Sequence, residues 1–170
     1  MPKAVTPIDP SRTTPQGLLH QAREFWRAAT LIAAAEKSAP EFLQSPPFVA
    51  YYLAGHCFEL ALKAHLRASG MHLDKLQRIG HNLANALQHA TDSGLVLSPK
   101  AISVLLSLNE SYATKRFEYI VTGVYSVPIW PEMTRAVDEV LAKTAIAAAG
   151  NLSVPIGEVQ TSQASLSRCA

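Results

Sequence analysis

Helix punctuation dominates this chain. Thr14-Pro15, Ser45-Pro46 and Ser98-Pro99 each stand just ahead of an apolar series that recurs every three to four residues. A hydroxyl at the cap position accepts from backbone N–H groups that the first turn leaves unused, and proline at the first helical position lacks a donor that would have had no partner. Gly70, Gly94 and Gly150 stand where periodicity ends, as glycine commonly does at a helix C-terminus.

These signals predict a helix over about 15–38, with Leu18, Leu19, Ala22, Phe25, Trp26, Ala29 and Ile32 inward, and a second over about 46–69. A third, shorter helix begins at His81 or Asn82 and turns Leu83, Ala86, Leu87 and Ala90 inward. A fourth covers about 99–112 with Ile102, Leu105, Leu106 and Leu108, and a fifth starts at Pro131 with Met133, Val137, Val140, Leu141 and Thr144. The stretch YIVTGVYSVPIW, 119–130, is β-branched and aromatic, but a strand would have no partner in this chain, so it reads as an ordered loop or a brief extended piece. The expected fold is all-α, a four- to five-helix up-and-down bundle. Residues 1–14 are expected to be a flexible segment, 15–150 one helical domain, and the Ser/Thr/Gln-rich 151–170 a flexible tail.

With 170 residues, 48% hydrophobic and 16% charged, the chain can bury one good core. A net charge of +2, without a run of Lys and Arg, gives no electrostatic footprint for nucleic-acid binding. The two cysteines, Cys57 and Cys169, do not make a disulfide framework, and Cys57 reads as a small core residue. The N-terminus has no signal-peptide pattern and no apolar run spans a bilayer, so a cytoplasmic location without membrane association is expected.

The second helix carries the chemistry. Phe48, Tyr52, Gly55, Phe58, Leu62 and Leu66 lie along one side, widened by Tyr51, Ala54 and Ala61, while His56, Glu59, Lys63 and Arg67 recur on another. The ordinary reading of that stripe is a solvated face whose Glu59–Lys63 pair contributes roughly 0.2–0.5 kcal/mol. The alternative groups Glu59, Lys63, His81, Asn82 and Arg116 around a groove that binds a nucleotide-type anion.

Tyr51-Tyr52, Glu59, Leu62-Lys63-Ala64, Gly70, His81-Asn82-Leu83 and Leu87 together resemble a HEPN domain, the small helical module of prokaryotic toxin and defence systems. Asn82 stands where the family has aspartate. Tyr112, Arg116 and Phe117 resemble the family's Tyr…Arg-Tyr stretch, with Phe117 lacking the hydroxyl and Glu118 in a position where proline is frequent. The similarity in layout covers roughly 15–149. It implies a homodimer, and in active members a metal-independent ribonuclease with Arg followed four to six residues later by His at the dimer interface. Such chemistry needs a proton acceptor for the ribose 2′-hydroxyl and a cation on the phosphoryl oxygens. The sole match to that spacing here, Arg67-x4-His72, lies at the end of the second helix rather than on a later one, and Arg135 has no histidine within reach.

The histidines offer no His-x3-His pair, and neither a nucleophile elbow nor a phosphate loop occurs, so neither a metal nor a cofactor is expected. The leading functional expectation is a non-catalytic HEPN-like binding module for a partner protein, such as a nucleotidyltransferase, or for a nucleotide or RNA. Tyr119, Tyr125 and Trp130 are its candidate interface residues. One alternative is a metal-independent endoribonuclease toxin with a displaced site drawn from Arg67, His72, His81 and Arg116. A small-ligand carrier is the other.

Overall fold

The computed structural model describes residues 13–36, 48–117 and 126–150. They form six helices and no strand: α1 (Pro15–Glu36), α2 (Phe48–Ala68), α3 (Leu73–Ile79), α4 (Leu83–Asp92), α5 (Pro99–Ala113) and α6 (Trp130–Gly150). The all-α bundle is as expected. The added helix is α3, a two-turn piece whose seven residues are too few to establish a period in sequence.

Local chemistry sets the boundaries. Thr14 Oγ1 accepts from Gly17 N at 3.0 Å, Ser98 Oγ from Ala101 N at 3.2 Å, and Asn82 Oδ1 from Asn85 N at 2.9 Å. Glu139 of α6 reinforces the α5 cap, accepting from both the backbone N and the Oγ of Ser98 at 2.6 Å. α2 ends with paired bonds, Met71 N to Leu66 O and Gly70 N to Arg67 O, and α4 with Leu95 N to Ala90 O and Gly94 N to Thr91 O. Gly150 differs from the expectation, since it is the last residue of α6 and does not adopt a positive φ.

α2 is the axis of the bundle and packs against α1, α3, α4, α5 and α6. Phe58, Leu62 and Leu66 are fully buried on it, each contributing roughly 1.5–3 kcal/mol of transfer free energy. Leu83, Leu105, Leu108, Met133, Val137 and Val140 close the core from α4, α5 and α6. Two residues expected inside are half-exposed. Phe48, the first residue of α2, and Leu106 on α5 each leave about half of their surface accessible. Cys57 is buried as expected, and burial pushes its thiol far up, with Asp138 adding to the effect.

Encirclement also overturns the solvated-face reading of the polar stripe. Glu59 is 5% exposed and the Lys63 side chain 13%. Helices pack on every side of α2, so its polar residues have little water and must find partners inside the protein.

Candidate functional site: a buried carboxylate at the α2–α4–α5 junction

Glu59 is the hub. Its Oε1 accepts from Lys63 Nζ at 2.6 Å, one turn along α2, and its Oε2 accepts from His81 Nδ1 at 2.9 Å and from the Tyr112 hydroxyl at 2.5 Å. Donor logic then fixes the rest of the chain of bonds. The phenol proton is given to the carboxylate, so Tyr112 Oη is left to accept from His56 Nδ1 at 2.9 Å. Lys63 also donates to the Gly80 carbonyl at 3.0 Å. Gly80 holds φ 60 and ψ −136, a region essentially reserved for glycine, and this turn links α3 to α4 ahead of His81.

Rings wall the cluster. Phe25 stacks on His56 at 4.9 Å, and Tyr52 meets His56 edge-on at 4.5 Å. His81 and Tyr112 each lie nearly perpendicular to His56, at 6.0 and 5.4 Å. The cluster is buried at Glu59 and Tyr112 and opens to water at His81, whose side chain is 52% exposed.

Burial works against the charge on Glu59. Hydrogen bonds from Lys63, Tyr112 and His81 outweigh it and hold the carboxyl below the usual carboxylate range. Glu139 is likewise held low by its bonds from Ser98. His65 is a buried base, 6% exposed, with neither ring nitrogen in hydrogen-bond geometry. Burial lowers it below the ordinary histidine value, against an opposing pull from the backbone of Ser93 and Ala90.

The signs give a two-step acid profile. A base whose folded pKa is depressed, such as His65, costs stability once pH falls below the unfolded value of about 6.5, because the unfolded chain takes the proton first. Carboxyls held low contribute fully above about pH 4.5 and lose that contribution as pH falls through their folded values. Melting temperature is therefore expected to be flat between about pH 7 and about pH 8, to sag as pH falls below about 6.5, and to fall steeply below about 4.5. His65→Gln should remove the upper step alone, and a profile unchanged by that substitution would contradict the assignment.

Of the sequence candidates, Glu59, Lys63 and His81 meet directly. Asn82 follows His81 but spends its side chain on the α4 cap. Arg116 pairs with Glu110 at 3.2 Å at the exposed end of α5. Arg67 donates to the carbonyls of Thr13 and Met71 at 3.2 and 3.1 Å, tying the start of α1 to the end of α2. His72 is exposed, and it is its backbone carbonyl that receives the first N–H groups of α3. Arg67 and His72 thus serve helix ends and are not brought together as an acid–base pair by any described contact.

Comparison with known proteins returned no matching family model, no matching curated protein and no matching solved structure. The site is therefore read from its own chemistry.

Trp130 packs onto the bundle, stacked on Trp26 at 5.6 Å and edge-on to Tyr51 at 5.3 Å, while Tyr51 donates its hydroxyl to the Pro128 carbonyl. Tyr119 and Tyr125 lie outside the described residues, as do most of 119–130 and the segments 1–12 and 151–170. Spacing put His56 on the polar face of α2 with Glu59 but not among the groove residues, and it did not bring Tyr112 to that cluster. The available signal was the His56-x-x-Glu59 step, which places both on one face of α2. No helix is long and apolar enough to cross a membrane among the described residues.

Proposed function

We propose that this chain is a non-catalytic, HEPN-like binding module, cytoplasmic and homodimeric, that engages a partner protein in a toxin–antitoxin or defence setting. One observation carries the reading: the cations that phosphate chemistry would require already have partners, Lys63 with Glu59 and the Gly80 carbonyl and Arg67 with two backbone carbonyls inside the fold, and Arg116 with Glu110 at the surface. That weighs against the ribonuclease alternative, and it favours a protein partner over a nucleotide or RNA.

Further support comes from the aromatic end of the bundle. Half-exposed Phe48 leans on Phe117 at 6.0 Å, Tyr51 lies between Phe117 and Trp130, and Ile129 is 61% exposed beside them. Aromatic and aliphatic anchors of this kind dominate interface energetics, and two-fold dimers are the commonest assemblies.

Sedimentation of the full chain should show a dimer, and Phe48→Glu or Ile129→Glu should weaken it about tenfold or more with unchanged helicity. The same preparation should leave RNA intact. A monomer that cleaves RNA, with cleavage lost in His81→Ala, would overturn the reading.

A further inference from the structure

We propose that His56, Glu59 and His81 form a binding site for a single divalent transition-metal ion of the zinc class. One imidazole nitrogen from each histidine and one carboxylate oxygen lie within 4.8 Å of one another. Tetrahedral zinc, with bonds of about 2.0–2.2 Å, sets its ligand atoms about 3.3 Å apart, so a modest inward movement closes the set. This inference is independent of the partner reading, because it concerns the α2–α4–α5 junction and not the aromatic end.

The donor set decides the class of ion. Two imidazoles with one carboxylate suit zinc, cobalt or nickel, whereas calcium and magnesium require oxygen ligands. Position decides the rest. His56 and Glu59 are one turn apart on a single face of the central helix, so two donors are fixed by a rigid element. His56 is further held by Phe25 and Tyr52, and Lys63 fastens Glu59 Oε1, leaving Oε2 for a single metal bond. His81 comes from the turn before α4 and is half-exposed, so an ion has a route in from solvent and water can complete its shell.

Entry of the ion exchanges bonds already drawn. Oε2 now accepts protons from His81 Nδ1 and Tyr112 Oη. The ion displaces His81 Nδ1 from that oxygen, whose second lone pair keeps the Tyr112 hydroxyl, and His56, where it binds through Nδ1, gives up its bond to Tyr112 Oη. A histidine that binds through Nδ1 carries its remaining proton on Nε2. The Lys63 ammonium on the far oxygen opposes the dication and weakens the site relative to one without a neighbouring cation.

Equilibrium dialysis of the full chain against zinc chloride tests the proposal, with cobalt absorption as a report of four-coordinate geometry. One equivalent of zinc should bind, and more weakly as pH falls through the histidine range. His81→Ala should weaken binding at least tenfold. Its fold is protected because the α4 cap is Asn82 and the ring is half-exposed. His72→Ala, on an exposed histidine outside the cluster, should bind as the parent does. Parent protein that retains no zinc, binding unaltered by His81→Ala, or binding lost in His72→Ala would each overturn the site. Loss of dimerisation with intact zinc binding would count against the partner reading alone.

Discussion

Glu59→Ala lowers the free energy of unfolding by about 3–5 kcal/mol, the range expected when one partner of a buried ion pair is removed. The carboxylate is 5% exposed and receives three side-chain donors, and its loss strands the Lys63 ammonium and the Tyr112 hydroxyl where water scarcely reaches. Lys63 keeps the Gly80 carbonyl and Tyr112 keeps His56, so the cost is the lost counter-ion and the lost acceptor, and this yields a sharper test. Glu59→Met combined with Lys63→Met should recover most of the loss, since a well-packed apolar pair often equals or exceeds a buried salt bridge. Urea titrations of the two single variants and the double variant would measure the coupling. A single-variant loss under about 1 kcal/mol would mean that the carboxylate is solvated after all.

Gly55→Ala should destabilise the protein by about 3 kcal/mol, the reverse of the usual gain of about 1 kcal/mol for alanine over glycine inside a helix. A Cβ at this position would overlap Tyr112 Cδ2 and would lie 2.6 and 2.9 Å from Cε2 and Cγ. The ring is rigid, so it must swing away, and its hydroxyl then leaves both Glu59 and His56. Overpacking of about 1–3 kcal/mol adds to about 1.5–3 kcal/mol for a hydrogen bond to a charged group, and helix propensity offsets about 1 kcal/mol. In a Tyr112→Ala background the sign should invert, with alanine at 55 stabilising by about 0.5–1 kcal/mol relative to glycine. Failure to invert in thermal or urea unfolding would show that the space around Gly55 is not set by Tyr112.

Most of the fold was legible because its signals are local. A Ser-Pro step and a run of leucines three or four apart act within one or two turns, so Ser98, Asn82, Gly70 and Gly94 set helix ends where the pattern placed them. The short α3 escaped because seven residues carry no readable period. Leu106 was placed on the wrong face because the width of an apolar stripe does not reveal how much of it neighbours will cover.

The site was legible in part. Glu59 and Lys63 share a helix face at a spacing any helix would honour, and their pairing follows from geometry alone. Their burial does not. The same four-residue step is an exposed pair of small value on a surface helix and a high-stakes network on an encircled one. Likewise, histidine spacing gave no metal motif because the third donor, His81, is supplied from 22 residues away.

The sequence alone determined that these residues would form amphipathic helices, where those helices would begin and stop, and that Glu59 and Lys63 would meet. Only the tertiary structure decided that α2 lies at the centre, which turned its polar stripe inward. It also decided that Gly80 and the end of α5 deliver His81 and Tyr112 to Glu59. The reason is range: capping and periodicity act over a few residues, whereas desolvation of a side chain depends on every element that packs around it.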